Sequence, residues 1–166
     1  MTEIHVIKTG LNYLHLYDYV VEQHKNADYS NNNNFPLKDT INREFDFLYD
    51  VFLRETEKLI VGRATLSVKN KRTAWAYVTN KDHYLGGIHN HVETSSINGV
   101  FYLNMPETTD FREGTISFYD NEYNETNCFK PSNGDLLIFP NFLNHEPNPI
   151  STDEYRIGIN MEITLV

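Results

Sequence analysis

Arg156-Ile157-Gly158-Ile159-Asn160-Met161-Glu162-Ile163 is the stretch on which the fold turns. Ile157, Ile159, Met161 and Ile163 fall on one side of an extended chain, and Arg156, Gly158, Asn160 and Glu162 fall on the other. That period of two belongs to a strand, not a helix. An arginine leading the polar side points away from the packing layer, towards a polar lumen or solvent. Upstream, runs of β-branched, aromatic and aliphatic residues at 59–66, 73–78, 97–103, 115–119 and 136–139 have the same character, separated by Gly, Asn, Asp and Pro clusters. With 156–165 they make six predicted strands.

The period is helical before residue 59. Leu11, Leu14, Tyr17, Asp18, Val20 and Val21 approximate one face of a helix that stops near 24–26. Ile41, Phe45, Leu48, Val51 and Phe52 define a second, preceded by Pro36, with Asp39 or Thr40 as its cap. The four asparagines at 31–34 cannot bury anything and predict a surface loop. The expectation is an α+β, mainly β protein: one domain over 1–166, with helical support in 1–58 and a β-sandwich or jelly-roll core in 59–166.

Composition excludes several classes. With 14 basic against 23 acidic residues and a net charge of -9, the chain is a poor match for duplex nucleic acid. Lys69-Asn70-Lys71-Arg72, its one dense basic stretch, is expected to be a solvated turn. No apolar run approaches the ~18 residues that span a bilayer, and the first residues do not open a signal peptide. A single cysteine, Cys128, forbids an internal disulfide and fits a reducing compartment, so a cytoplasmic location without membrane partners is expected. The oligomeric state is left open, and a homodimer is compatible with the sequence.

The chemistry concentrates in His89-Asn90-His91, answered by His145 and then by Arg156. In an extended strand, residues two apart share a face at roughly 7 Å, so His89 and His91 can converge on one ion. His145, at the end of the hydrophobic run 136–139, can supply a third ligand from a neighbouring strand. Arginine suits a carboxylate because its planar fork makes two parallel hydrogen bonds. Glu93 shares strand parity with the two histidines, so His91 and Glu93 are an alternative ligand pair, with His89 displaced outward. His5, His15, His24 and His83 are expected to be ordinary core or surface residues, with His83 near enough to sit at the mouth of the site. Trp75 and Phe139 are expected in the core, and Cys128 without a chemical role.

From about Trp75 onward the ordered set resembles a known pattern: His89-Asn90-His91, Gly99-Val100-Phe101-Tyr102-Leu103, Gly114, Pro131-Ser132-Asn133-Gly134-Asp135, Leu136-Leu137-Ile138-Phe139-Pro140, His145 and Arg156. It is similar to the iron(II)- and 2-oxoglutarate-dependent oxygenases, in particular their prolyl-hydroxylase-like branch and its microbial members with His-x-His. The resemblance implies a double-stranded β-helix (jelly roll). It implies iron(II) held by His89 and His145, with His91 at the position of the remaining ligand, and 2-oxoglutarate held by Arg156 and Tyr102. It makes Gly134-Asp135 the turn that launches the strand towards His145. The implied reaction is a dioxygenation that divides molecular oxygen between 2-oxoglutarate and an unidentified second substrate, with hydroxylation as the default outcome. Two positions depart from the family: His91 stands where most members carry Asp or Glu, and Gly158 stands where many carry a hydroxyl residue beside the arginine. The second departure implies a weaker hold on 2-oxoglutarate. Competing readings are a three-histidine cupin-like enzyme that needs no 2-oxoglutarate, and a non-catalytic jelly-roll binding module closed around its metal by His89, His91, Glu93 and His145.

Overall fold

A computed structural model of the chain describes residues 3–29, 44–60 and 73–165. Its strands are β1 (His5–Lys8), β2 (Thr73–Thr79), β3 (Ile97–Asn104), β4 (Ile116–Tyr119), β5 (Glu125–Phe129), β6 (Asp135–Pro140), β7 (Asn144–Pro147) and β8 (Arg156–Ile163). A 3-10 turn (Leu14–Leu16) leads into helix α1 (Tyr17–Asn26), and helix α2 spans Glu44–Leu59. The strands form two antiparallel sheets. One has five strands in the order β1-β6-β3-β8-β2, and the other three in the order β5-β4-β7.

The alternation of β8 separates two hydrophobic layers. Ile157, Ile159, Met161 and Ile163 pack with Phe101, Leu136 and Ile138 against Val20, Val21, Leu48 and Phe52 of the helices. Phe52 is fully buried, and its ring lies where a Cβ on Gly99 would stand, so β3 admits α2 at close range. Losing that ring would cost about 3–5 kcal/mol. A second layer between the sheets joins Val100, Tyr102, Ile116, Phe118, Leu137 and Phe139. The lumen of the jelly roll opens beside it, and the other face of β8 looks into that lumen.

Several expectations change here. The strand expected at 59–66 begins on Leu59, which ends α2; residues 61–66 lie outside the described ones. The first helix starts at Tyr17, later than the apolar pattern from Leu11 suggested. The 1–58 region contributes β1 to the large sheet as well as helices. The asparagine tract at 31–34, the basic stretch at 69–72, Ile41 and the expected cap of α2 lie outside the described residues. Cys128 lies on β5 as a free, partly exposed thiol. No helix among the described residues is long and apolar enough to cross a membrane.

Candidate metal centre

His89 and His145 are held together by the backbone. Each donates its amide to the other's carbonyl, at 3.0 and 2.9 Å, in an isolated antiparallel bridge. His91 follows outside any strand, tied by its amide to Asn141 O at 2.8 Å. The expected continuous strand through 89–93 is therefore absent. The chain turns over 92–94, which destroys the parity that made Glu93 an alternative ligand and leaves Glu93 exposed. A site closed by His89, His91, Glu93 and His145 does not form.

One ring nitrogen from each of His89, His91 and His145 lies within 4.8 Å of the others. Their opposite nitrogens show which atoms converge. His89 Nδ1 faces Gly87 O at 2.8 Å, His145 Nδ1 faces Leu143 O at 2.9 Å, and His91 Nδ1 faces Glu162 Oε1 at 2.9 Å. A carbonyl only accepts hydrogen bonds, so Nδ1 of His89 and of His145 must carry the proton, and Nε2 keeps its lone pair for a metal. Burial, then the neighbouring His89, pushes the His145 pKa down to about 3, and burial also lowers that of His89. Both are thus neutral imidazoles at ordinary pH, the form that ligates metals. Phe139, in the core as expected, packs edge-on against the His145 ring at 4.8 Å.

The same cavity, about 540 Å³, is walled by all three histidines, Trp75, Tyr77, Tyr102, Arg156, Gly158, Asn160 and Glu162. Arg156 is 2% exposed, and its Nε donates to Gly114 O at 3.2 Å. No carboxylate of the described residues pairs with it. Gly158 lies between Tyr77 of β2 and Tyr102 of β3 in the sheet register. The Arg156 guanidinium lies 5.8 and 5.3 Å from those two ring centroids. A Cβ on Gly158 would stand 3.2 Å from Val100 Cγ1, so a side chain there would require Val100 to shift by a few tenths of an ångström. The Tyr102 hydroxyl is buried without a hydrogen-bond partner, and burial raises its pKa to about 12. It therefore stays a phenol, able to donate.

These features suit the group they imply. A buried cation with no carboxylate partner among the described residues and a buried hydroxyl with no hydrogen-bond partner are costly unless an anionic acceptor arrives from outside. A carboxylate between Arg156 and Tyr102 would satisfy both. Gly134 has the expected turn geometry, with φ of +82° and its amide on Tyr102 O at 2.8 Å, and it leads directly into β6. His83 does not line the cavity: its ring meets His24 edge-on and lies tilted against Tyr29 elsewhere. Trp75 is buried as expected, yet it walls the cavity near His91 and is not part of the two apolar layers. Glu162 and Thr94 were not singled out as site residues by sequence. Glu162 could have been found from its shared parity with Arg156 on β8.

A jelly roll that turns three imidazoles and an arginine without a carboxylate partner among the described residues into one lumen defines a non-haem metal oxygenase with an anionic co-substrate. The chain belongs to the iron(II)- and 2-oxoglutarate-dependent oxygenases: residues 73–162, just over half of it, match the family model described as "Putative 2OG-Fe(II) oxygenase". Iron(II) and 2-oxoglutarate are accordingly its cofactor and co-substrate. No curated protein sequence matches the chain. Among solved structures it resembles a Pseudomonas putida prolyl-4-hydroxylase at TM-score 0.61 and 12% identity, over 100% of this chain and 89% of that one. It also resembles a Trichoplax adhaerens prolyl hydroxylase in complex with a hypoxia inducible factor peptide fragment, at 0.64 and 16%, over 97% and 83% of the two chains. A Phytophthora capsici prolyl 4-hydroxylase superposes at 0.68 and 12%, over 98% and 59%. Likeness at these identities establishes the double-stranded β-helix fold.

Proposed function

We propose that residues 1–166 act as one oxygenase domain in which His89, His91 and His145 hold iron(II) through Nε2 while Arg156 and Tyr102 bind the far carboxylate of 2-oxoglutarate. The observation that carries the assignment of the arginine is its burial without a carboxylate partner, in the cavity that the three histidines wall. Three protein side chains would leave that ion accessible to a co-substrate. When bound, iron(II) and 2-oxoglutarate would supply the oxidation: one atom of molecular oxygen would enter the succinate formed as the keto acid loses carbon dioxide, and the other would be delivered to a second substrate.

The chain's own residues bind, orient and shield. Arg156 and the Tyr102 phenol direct the co-substrate, with Tyr77 holding the other side of the guanidinium and donating its own hydroxyl to Leu85 O. Trp75, Val100 and Ile116 line the same cavity with apolar surface that limits water. Asn90 Nδ2 donates to Asn144 Oδ1 at 2.9 Å, clamping the His-x-His segment to β7. The free Cys128 supports placing the protein in the cytoplasm.

The test is an anaerobic titration of metal-free protein with iron(II) and then 2-oxoglutarate, following the visible charge-transfer absorption of the chelate. A band that requires both additions and weakens in Arg156→Ala is the expected result. Metal binding with no band on adding 2-oxoglutarate would sink these residue assignments.

A further inference from the structure

His89 and His145 orient their rings by the same local device, and His91 does not. In the first two, Nδ1 meets the carbonyl two residues earlier, Gly87 O and Leu143 O. For His91 the carbonyl two residues earlier is that of His89, and His89 O already accepts the His145 amide at 2.9 Å. His91 turns instead to a residue 71 positions away. Glu162 Oε1 takes the His91 Nδ1 bond at 2.9 Å and a bond from Thr94 Oγ1, also at 2.9 Å. The Thr94 amide in turn donates to His91 O at 3.0 Å, closing a ring of three residues. The Glu162 backbone is itself anchored, because its carbonyl accepts the Tyr49 hydroxyl of α2 at 2.6 Å.

We infer that Glu162, steadied by Thr94, is the positioning residue of the metal centre: it fixes the His91 ring with Nε2 inward and makes His91 the most strongly donating of the three ligands. The inference rests on the reading of His91 as a metal ligand. A carboxylate accepts a stronger hydrogen bond than a carbonyl does. Behind a ligating imidazole it raises the basicity of the metal-bound nitrogen and locks the tautomer. The arrangement also brings a carboxylate within one hydrogen bond of a centre whose own ligands are all imidazoles, where two histidines and a carboxylate are the common non-haem iron set. Glu162 is 8% exposed, so this contact is shielded from bulk water.

Cobalt(II) is the probe, because its d–d absorption reports the ligand field directly. Metal-free parent, Glu162→Gln, Glu162→Ala, Thr94→Val, His91→Ala and the exposed control Glu93→Gln are titrated with cobalt(II) against a competing chelator, and each is melted without metal. Glu162→Gln keeps the shape and loses the charge. It is expected to bind cobalt(II) ~10–100-fold more weakly with a shifted band. Glu162→Ala is expected to be weaker still, Thr94→Val to move in the same direction, and Glu93→Gln to match the parent. Glu162→Gln with the parent's affinity and band, beside a crippled His91→Ala, overturns this inference alone. His91→Ala with the parent's affinity and band overturns the metal-centre reading beneath it. If Glu162→Gln melts far below the parent, Thr94→Val decides: parental affinity and band there overturn the inference.

Discussion

Two groups of histidines in this chain hold their rings almost equally close, and they are built for different ends. His89 and His145 stand 4.5 Å apart between ring centroids, and His24 and His83 stand 4.7 Å apart. In the first group an acceptor oxygen lies behind each Nδ1, so the second nitrogens are left with lone pairs that converge. In the second, His24 Nδ1 meets the Tyr29 hydroxyl at 2.6 Å, a group that both donates and accepts, and His83 Nε2 is buried without a partner. Tyr29 and Tyr155 complete an aromatic cluster there that ties α1 to the turn after β2. Ring proximity therefore does not make a metal centre. What matters is the atom that faces the far nitrogen.

The largest expected effect sets the two groups apart. His145→Ala should weaken iron(II) or cobalt(II) binding by more than ~100-fold, because it removes a ligand and not merely a support. His24→Ala should leave metal affinity at the parent's value while lowering the melting temperature. Chelator competition on both variants checks this, and a metal defect in His24→Ala would break the comparison. Next comes the co-substrate. Arg156→Met should cost roughly 2–5 kcal/mol of 2-oxoglutarate binding by removing the partner of a buried charge. Metal affinity should be unchanged, as equilibrium dialysis of the iron-loaded protein would show.

Acid should act on both groups in the same direction. Burial lowers His24 from 6.5 to about 4 and His145 from 6.5 to about 3. Between those values and 6.5 the unfolded chain binds protons that the folded chain refuses. Stability of the metal-free protein is then full above pH 6.5 and falls as the pH drops towards 4. Melts at pH 7.5, 6.5 and 5.5 should show a declining midpoint, with a shallower slope in His24→Phe. The smallest effect is expected from Tyr102→Phe. It should cost about 1 kcal/mol of 2-oxoglutarate affinity while leaving the ligand-free protein as stable or slightly more so, since it deletes a buried hydroxyl that lacks a partner. A lowered melting temperature in that variant would show the hydroxyl to be structural.

Strands rich in β-branched, aromatic and aliphatic residues are readable in the chain, and weak ones are not. β3, β6 and β8 carry enough of these residues to be placed from sequence, and the alternation of β8 also gives its facing. β5, Glu-Thr-Asn-Cys-Phe, is a half-exposed edge strand, and β7, Asn-His-Glu-Pro, is four residues ending in proline. Both owe their conformation to pairing with β4, which a local pattern cannot register. The same limit explains His89 and His91. Their spacing predicts a strand, but the backbone is held by His145 and Asn141, and the turn at 92–94 removes Glu93 from the site.

By itself the sequence determined a mainly β sandwich or jelly-roll domain, the candidate ligands His89, His91, Glu93 and His145, and the arginine that leads the polar face of β8, because these follow from period, residue chemistry and order along the chain. Only the tertiary structure decided how the histidines are oriented. Gly87, Leu143 and Glu162 face the three Nδ1 atoms, and the last of these is brought there from 71 residues away by the β2–β8–β3 register. A hydrogen bond is set by ångström-scale geometry between chain segments, and no one-dimensional pattern carries that distance.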